Sequence, residues 1–272
     1  MVAASVTTSS RFEPASALVT RILPLHAAVC GTALAIPHPG MSTKCLAILL
    51  WGVAVLALRF RLARVMAFLL FLLLAVHLFP EVPNHGYLFC LALLIAASFD
   101  ISSAIERSVM TENFRYLAAI AWFWSGVQKA WSGTWTHGQL LAYEIGHSQR
   151  FKYMLGWLTT RAERRALYAD GPFLANDALT LLGQLVWVLE ISIGIGLLVL
   201  PPRFRKHCIW SAIGLLVGIE VVAHESVFGI LMIALLVPSL DIRLRARYLL
   251  VLVPLELLTL AGHLSLVPGG FH

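Results

Sequence analysis

The sequence predicts an all-α fold: a polytopic helical bundle in a membrane, about nine spans by apolar length, with an amphipathic interfacial segment between the fifth and sixth. Three observations predict it. Of 272 residues, 59% are hydrophobic and 12% charged, and the mean hydropathy is +0.83, a balance that water-soluble domains do not have. The charged residues collect between apolar stretches rather than inside them. The stretches themselves approach the roughly twenty apolar residues that cross a hydrocarbon core.

Residues 1–20 are small and polar, without the basic start and compact apolar core of a cleaved signal peptide. They predict a polar N-terminal tail. Residues 21–272 hold no repeat or low-complexity linker and read as a single transmembrane domain. Its expected spans are Ile22–Ile36, Cys45–Leu58, Val65–Phe79, Gly86–Ile105 and Phe114–Trp131, then Asp177–Leu200, His207–His224, Ser226–Leu240 and Tyr248–Val267. Between the fifth and sixth, residues 137–170 mix Leu140, Leu141, Ile145, Phe151, Leu155 and Trp157 with Arg150, Lys152, Arg161, Arg164 and Arg165. That mixture predicts one or two amphipathic helices lying in the outer interface, as anchor or as lid.

Charge sets the expected orientation. Arg59, Arg61 and Arg64 follow the second span, Arg203, Arg205 and Lys206 the sixth, and Arg243, Arg245 and Arg247 the eighth. Positive residues mark the cytoplasmic side, which puts the N-terminus inside and the C-terminus outside, in the plasma (inner) membrane if the cell is bacterial. The basic 137–170 segment runs against that pattern. Loop arginines also account for the net charge of +6, so nucleic acid is not an expected partner; membrane lipid is. Cys30, Cys45, Cys90 and Cys208 are scattered, with no CxxC and no Cys/His pair at ligand spacing, so no metal site is expected.

Lys129 ends an apolar, aromatic run, and an ionisable residue at membrane depth is a functional-site hypothesis. Trp122, Gly126 and Lys129 lie at i, i+4 and i+7 and share a helix face. Gly126 leaves room for a second helix or a flat ligand, and the tryptophans offer stacking surfaces. The lysine then has two readings: an end-of-span amine reaching the surface, or a buried base. Asn84 and His85 open the fourth span on the same expected side. Asp100, Glu190, Glu220 and Glu256 are acids within spans, with Glu220 and His224 sharing a face at i, i+4. Such acids pair with one another, with lysine or arginine, or with water. A phosphate loop, a GxSxG elbow and an HExxH motif are all missing from the sequence.

Asn84-His85-Gly86-Tyr87-Leu88 with Asp100 after it, Gly126-Val127-Gln128-Lys129 with Trp135 and Gly138 after it, and His224 leading into Ser226-Val227-Phe228-Gly229 occur in that order. In this the chain resembles the vitamin K-dependent gamma-carboxylases and the wider horizontally transferred transmembrane (HTTM) family. The resemblance implies that Lys129 takes a proton from a reduced quinone of the vitamin K or menaquinone type. It implies that His85 serves the carboxylation half, and that Asn84, Trp122, Gly126 and Trp135 line the quinone site. Asp100, His137, Glu220 and His224 become supporting polar residues. The family pattern is broken at His137, where carboxylases have glutamate, and at Trp131 and Gly133, where they have acids.

The family's soluble lumenal domain has no counterpart after the ninth expected span. The expected function is therefore a membrane enzyme that uses reduced quinone and oxygen to make a strong base, acting on a peptide or small molecule, by carboxylation or otherwise. Two alternatives stand beside it: a non-catalytic partner in peptide maturation, immunity or export, and a DoxX-like redox membrane subunit.

Overall fold

A computed structural model describes residues 12–38, 40–82, 84–167, 176–223, 226–240 and 243–245. The fold is all-helical apart from one short ribbon, in which β1 (Phe12–Pro14) pairs antiparallel with β2 (Arg243–Arg245). The described residues form two compact units, one drawn from Met1–Phe114 and Ala234–His272, the other from Arg115–Ile233.

The first unit is built around α1 (Ala15–Ala35), which begins within the stretch expected to be a polar tail. Ser16 and Thr20 are buried there, and Thr20 satisfies its hydroxyl by donating back to the Ser16 carbonyl at 2.6 Å. That back-bond is how a polar residue enters a buried helix without an unmet donor. Most of α1 is buried, packed by α2 (Met41–Ala57), α3 (Arg61–His77) and α4 (Asn84–Ser98). Leu18, Leu23, Leu50, Phe71, Leu74, Phe89 and Leu93 fill the space between them.

The expected span Gly86–Ile105 stops early, at Ser98. Asp100 accepts the Ser102 amide at 2.9 Å, an Asx turn that offers the backbone an alternative to the helix. Two of the arginines read as orienting charges close that helix end: Arg61 donates to the Ser98 carbonyl at 2.8 Å and Arg64 to the Ala96 carbonyl at 3.4 Å. Cations at a helix C-terminus satisfy its open carbonyls and complement its dipole.

The next helix, α5 (Ala104–Ser132), starts ten residues before the expected Phe114. Glu106, Arg107 and Glu112 hide its first turns from a hydropathy reading, yet Ser103 accepts the Glu106 amide at 3.3 Å, as an N-cap does.

The second unit contains the later half of α5, then α6 (Gln139–His147), α7 (Gln149–Leu155), a 3-10 turn (Gly156–Leu158) and α8 (Arg161–Leu167). These short helices occupy the expected amphipathic segment. Thr160 and Glu163 start α8 reciprocally, the hydroxyl accepting the Glu163 amide at 3.2 Å and the carboxylate accepting the Thr160 amide at 2.6 Å, a capping box. The long helix α9 (Asp177–Val199) is capped by Asn176, which accepts the Leu179 amide at 3.0 Å. Then come α10 (Pro202–Ala223) and α11 (Ser226–Leu236), the latter running on as a 3-10 turn to Leu240. The ninth expected span, Tyr248–Val267, lies outside the described residues.

Among the described residues, α1 and α9 are long and apolar enough to cross a membrane; at 1.5 Å per residue they measure about 32 and 35 Å. Met41–Ala57, Asn84–Ser98 and Phe228–Leu240 are apolar but shorter. Leu181, Leu185, Val188, Leu189 and Val199 of α9, and Leu62, Leu69, Leu73 and Val76 of α3, are all exposed.

Candidate functional site

The site centres on Lys129, near the end of α5. Its Nζ lies 2.5 Å from Glu190 Oε1 of α9 and 3.0 Å from Ser125 Oγ one turn back. The ammonium also stands 5.0 Å from the centroid of the Trp135 ring, within cation–π range. The Glu190 side chain is 2% exposed and that of Lys129 19%. A carboxylate at that depth is costly unless paired and hydrogen-bonded, and the lysine supplies both. Of the two readings of Lys129, the surface-seeking one does not fit: the amine turns to a buried acid.

Glycine lets the helices come close enough for this contact. A Cβ on Gly126 would lie 2.8 Å from the Trp187 carbonyl oxygen and 2.9 Å from the Ile191 amide nitrogen. On the facing helix, a Cβ on Gly194 would lie 2.6 Å from the Phe123 amide nitrogen. Phe123 thus meets Gly194, Gly126 meets Trp187 and Ile191, and Lys129 meets Glu190, an antiparallel register. The space that Gly126 leaves is taken by backbone of α9, not held open for a ligand.

Past Ser132 the chain turns back on α9. Gly133 and Gly138 take positive φ, 71° and 68°, which side-chain-bearing residues adopt at a cost. The loop is stitched down by Thr180 Oγ1 donating to the His137 carbonyl at 3.2 Å and Gln184 Nε2 donating to the Thr136 carbonyl at 3.3 Å. This turn carries Trp135 under the ammonium, so the interval from Lys129 to Trp135 and Gly138 has a geometric meaning.

The remaining expected residues fall elsewhere or into structural roles. Trp122 is buried at 1% exposure. Its Nε1 and that of Trp187 are enclosed without a hydrogen-bond acceptor among the described residues. His137 is exposed, its Nδ1 2.8 Å from the Gly133 carbonyl oxygen, and so serves its own turn. Asn84 and His85 open α4 in the first unit. Asp100 follows the other end of that same helix, about 20 Å along at 1.5 Å per residue, which separates it from His85. The hydrogen bonds from Ser102, chiefly, hold the Asp100 carboxyl below the usual carboxylate range, with Arg61 and Arg64 adding to this. Glu220 lies on α10 with its side chain outside the description, and His224 lies outside the described residues altogether. Among the described residues no group of three His, Cys, Asp or Glu side chains is placed to hold a metal.

Glu190 is the site residue that sequence alone did not select as such. Its one signal is its place as an acid within an apolar span, where it needs a cation, but 61 residues of separation give no register with Lys129. As chemistry, an ammonium and a carboxylate sharing a short contact under an indole ring can hold a proton, pass it between nitrogen and oxygen, and present a cation to an incoming anion.

Comparison with protein-family models, with curated proteins and with solved structures gave no match.

Proposed function

We propose that the chain is an integral membrane enzyme of the gamma-carboxylase and HTTM type, with nine spans and a cytoplasmic N-terminus, and that the Lys129–Glu190 pair is its proton-transfer centre. The observation that carries this is the 2.5 Å contact of a lysine with a buried glutamate inside apolar helices. Bilayer embedding is supported by α1 and α9 and by the exposed leucine and valine side chains along α3 and α9, since contiguous exposed apolar surface marks a membrane or partner contact.

A reduced quinone as cofactor is supported by an amine and carboxylate able to receive a hydroxyl proton, and by two enclosed indole N–H groups that meet no acceptor among the described residues. Such a group would supply, with oxygen, the strong base that abstracts a proton from an unreactive carbon. The protein's part is the first proton. A proton delivered to the pair is stored on Glu190, which becomes neutral, and the Lys129 ammonium is then released to face the oxyanion left behind. The resemblance assigns His85 to the carboxylation half of the reaction, on a peptide or small molecule, and Asn84 to the quinone.

Membranes containing the chain should convert a reduced naphthoquinone to its epoxide, and Lys129→Ala should abolish the conversion. Undiminished turnover in that variant would remove Lys129 from the mechanism. For the topology, a cysteine introduced beside His137 should react with an impermeant reagent from outside the cell; labelling from the cytoplasmic side alone would refute the orientation.

One observation favours a second reading, a non-catalytic partner in peptide maturation, immunity or export. The lysine is held on three sides by Glu190, Ser125 and Trp135, as in a structural lock. That reading expects Lys129→Met combined with Glu190→Leu, which removes the proton-transfer groups without stranding a charge, to keep function while Gly126→Leu destroys it.

A further inference from the structure

We propose that α7, the 3-10 turn and α8 form a docking surface for anionic lipid headgroups. One side of this segment is committed to the protein: Phe151, Leu155 and Leu158 pack on the buried cluster of Leu141, Ala142, Ile145 and Leu179. The other side is open. Tyr153 in the last turn of α7 is 85% exposed and Trp157 in the 3-10 turn 75% exposed. The Trp157 indole N–H donates to the Met154 carbonyl at 2.8 Å, so the ring presents apolar surface with its polar atom already satisfied. Exposed tryptophan and tyrosine of this kind belong at the level of lipid headgroups, where one side is wet and the other apolar.

Charge selects the lipid. Residues 139–167 carry five basic side chains against two acidic ones. Glu163, one of the two acids, is already engaged by the Thr160 amide and the Asn176 side chain. Arg161 and Arg165, one turn apart on α8, are exposed and share a face. Each Lys or Arg near an anionic surface contributes about 1 kcal/mol of attraction, and an aromatic anchor beside basic residues is how amphipathic segments hold to such a surface. The same arrangement gives a physical reason for basic residues in a segment expected outside, where orientation by charge predicts few.

The inference rests on the membrane reading, and its test separates the two. The full chain, expressed in membranes, is washed with alkaline carbonate, then extracted in mild detergent with equal phosphatidylglycerol and phosphatidylcholine, and retained lipid is quantified by mass spectrometry. Retention of phosphatidylglycerol at about 30-fold over phosphatidylcholine is the expected result, the order of magnitude for two charges. R161Q/R165Q should bring the ratio to about one, and R161K/R165K should restore it, which excludes misfolding as the cause. Equal retention of the two lipids by the wild-type chain, an unchanged ratio in R161Q/R165Q, or a stoichiometric acidic protein held in place of lipid would each overturn the surface while leaving the membrane reading intact. Release of the chain by carbonate would overturn both.

Discussion

Removing one member of the Lys129–Glu190 pair strands the other, and the cost can be worked from their surroundings. In Lys129→Met the carboxylate stays 2% exposed and loses the ammonium 2.5 Å away. Loss of one partner from a buried pair costs about 3–5 kcal/mol. In Glu190→Leu the amine keeps Ser125 and Trp135 and, at 19% exposure, some reach to polar surroundings. That leaves a lesser penalty, about 1–3 kcal/mol. Lys129→Met with Glu190→Leu removes both charges and roughly conserves volume, a change that in buried pairs is neutral or stabilising. The single effects should therefore not add, and the cycle should return a coupling of at least about 2 kcal/mol. The assay is reversible unfolding of the full chain in mixed micelles, followed by tryptophan fluorescence. Additivity within about 0.5 kcal/mol would show that the two side chains do not meet, and the proton-transfer proposal would fall with them.

Two further outcomes are read by the same unfolding assay. Gly126→Ala should destabilise by about 1–3 kcal/mol, because the new Cβ meets backbone atoms of Trp187 and Ile191, which cannot rotate aside as a side chain would; wild-type stability would mean that α5 and α9 are not in contact there. Asp100 has a folded-state pKa held below its ordinary value by Ser102, so its contribution is fully present above about pH 4 and is lost as pH falls through that lower folded value. The stability gap between wild type and Asp100→Asn should accordingly narrow below about pH 4, and a gap that stays constant from pH 7 to pH 3 would refute the assignment.

Helices bounded by strong local signals were legible in the sequence. The helices α2, α3 and α9 were expected within a few residues of where they lie, since Gly40, the Arg59–Arg61 break and the Asn176 cap punctuate apolar runs. Hydropathy misplaced the α4–α5 junction because it weighs side chains and not caps. It overran Ser98, where Asp100 turns the chain, and it missed the charged first turns of α5. At the site, the face that Lys129 shares with Gly126 followed from spacing within one helix, while spacing left the lysine open between a surface-seeking amine and a buried base. The Glu190 contact did not, because it depends on the register between two helices far apart in the chain. That register is set by where Gly126 and Gly194 admit close approach.

The same register frames the choice between chemistry and architecture. Close approach at Gly126 and Gly194 sets the register, and the ion pair reinforces it, since a slip of one turn, about 5.4 Å, would part Lys129 from Glu190. The pair can thus lock α5 to α9 with no chemistry at all. Glu190→Gln separates the roles. Glutamine keeps an oxygen acceptor for the ammonium and nearly the same shape, so much of the register is retained, but it cannot take up a proton. If the pair stores the proton released by a quinol, Glu190→Gln should fold, and epoxide formation should fall by two orders of magnitude or more, the usual range for loss of general-base function being about 100- to 10,000-fold. A folded Glu190→Gln protein with wild-type turnover would leave the pair as a lock alone.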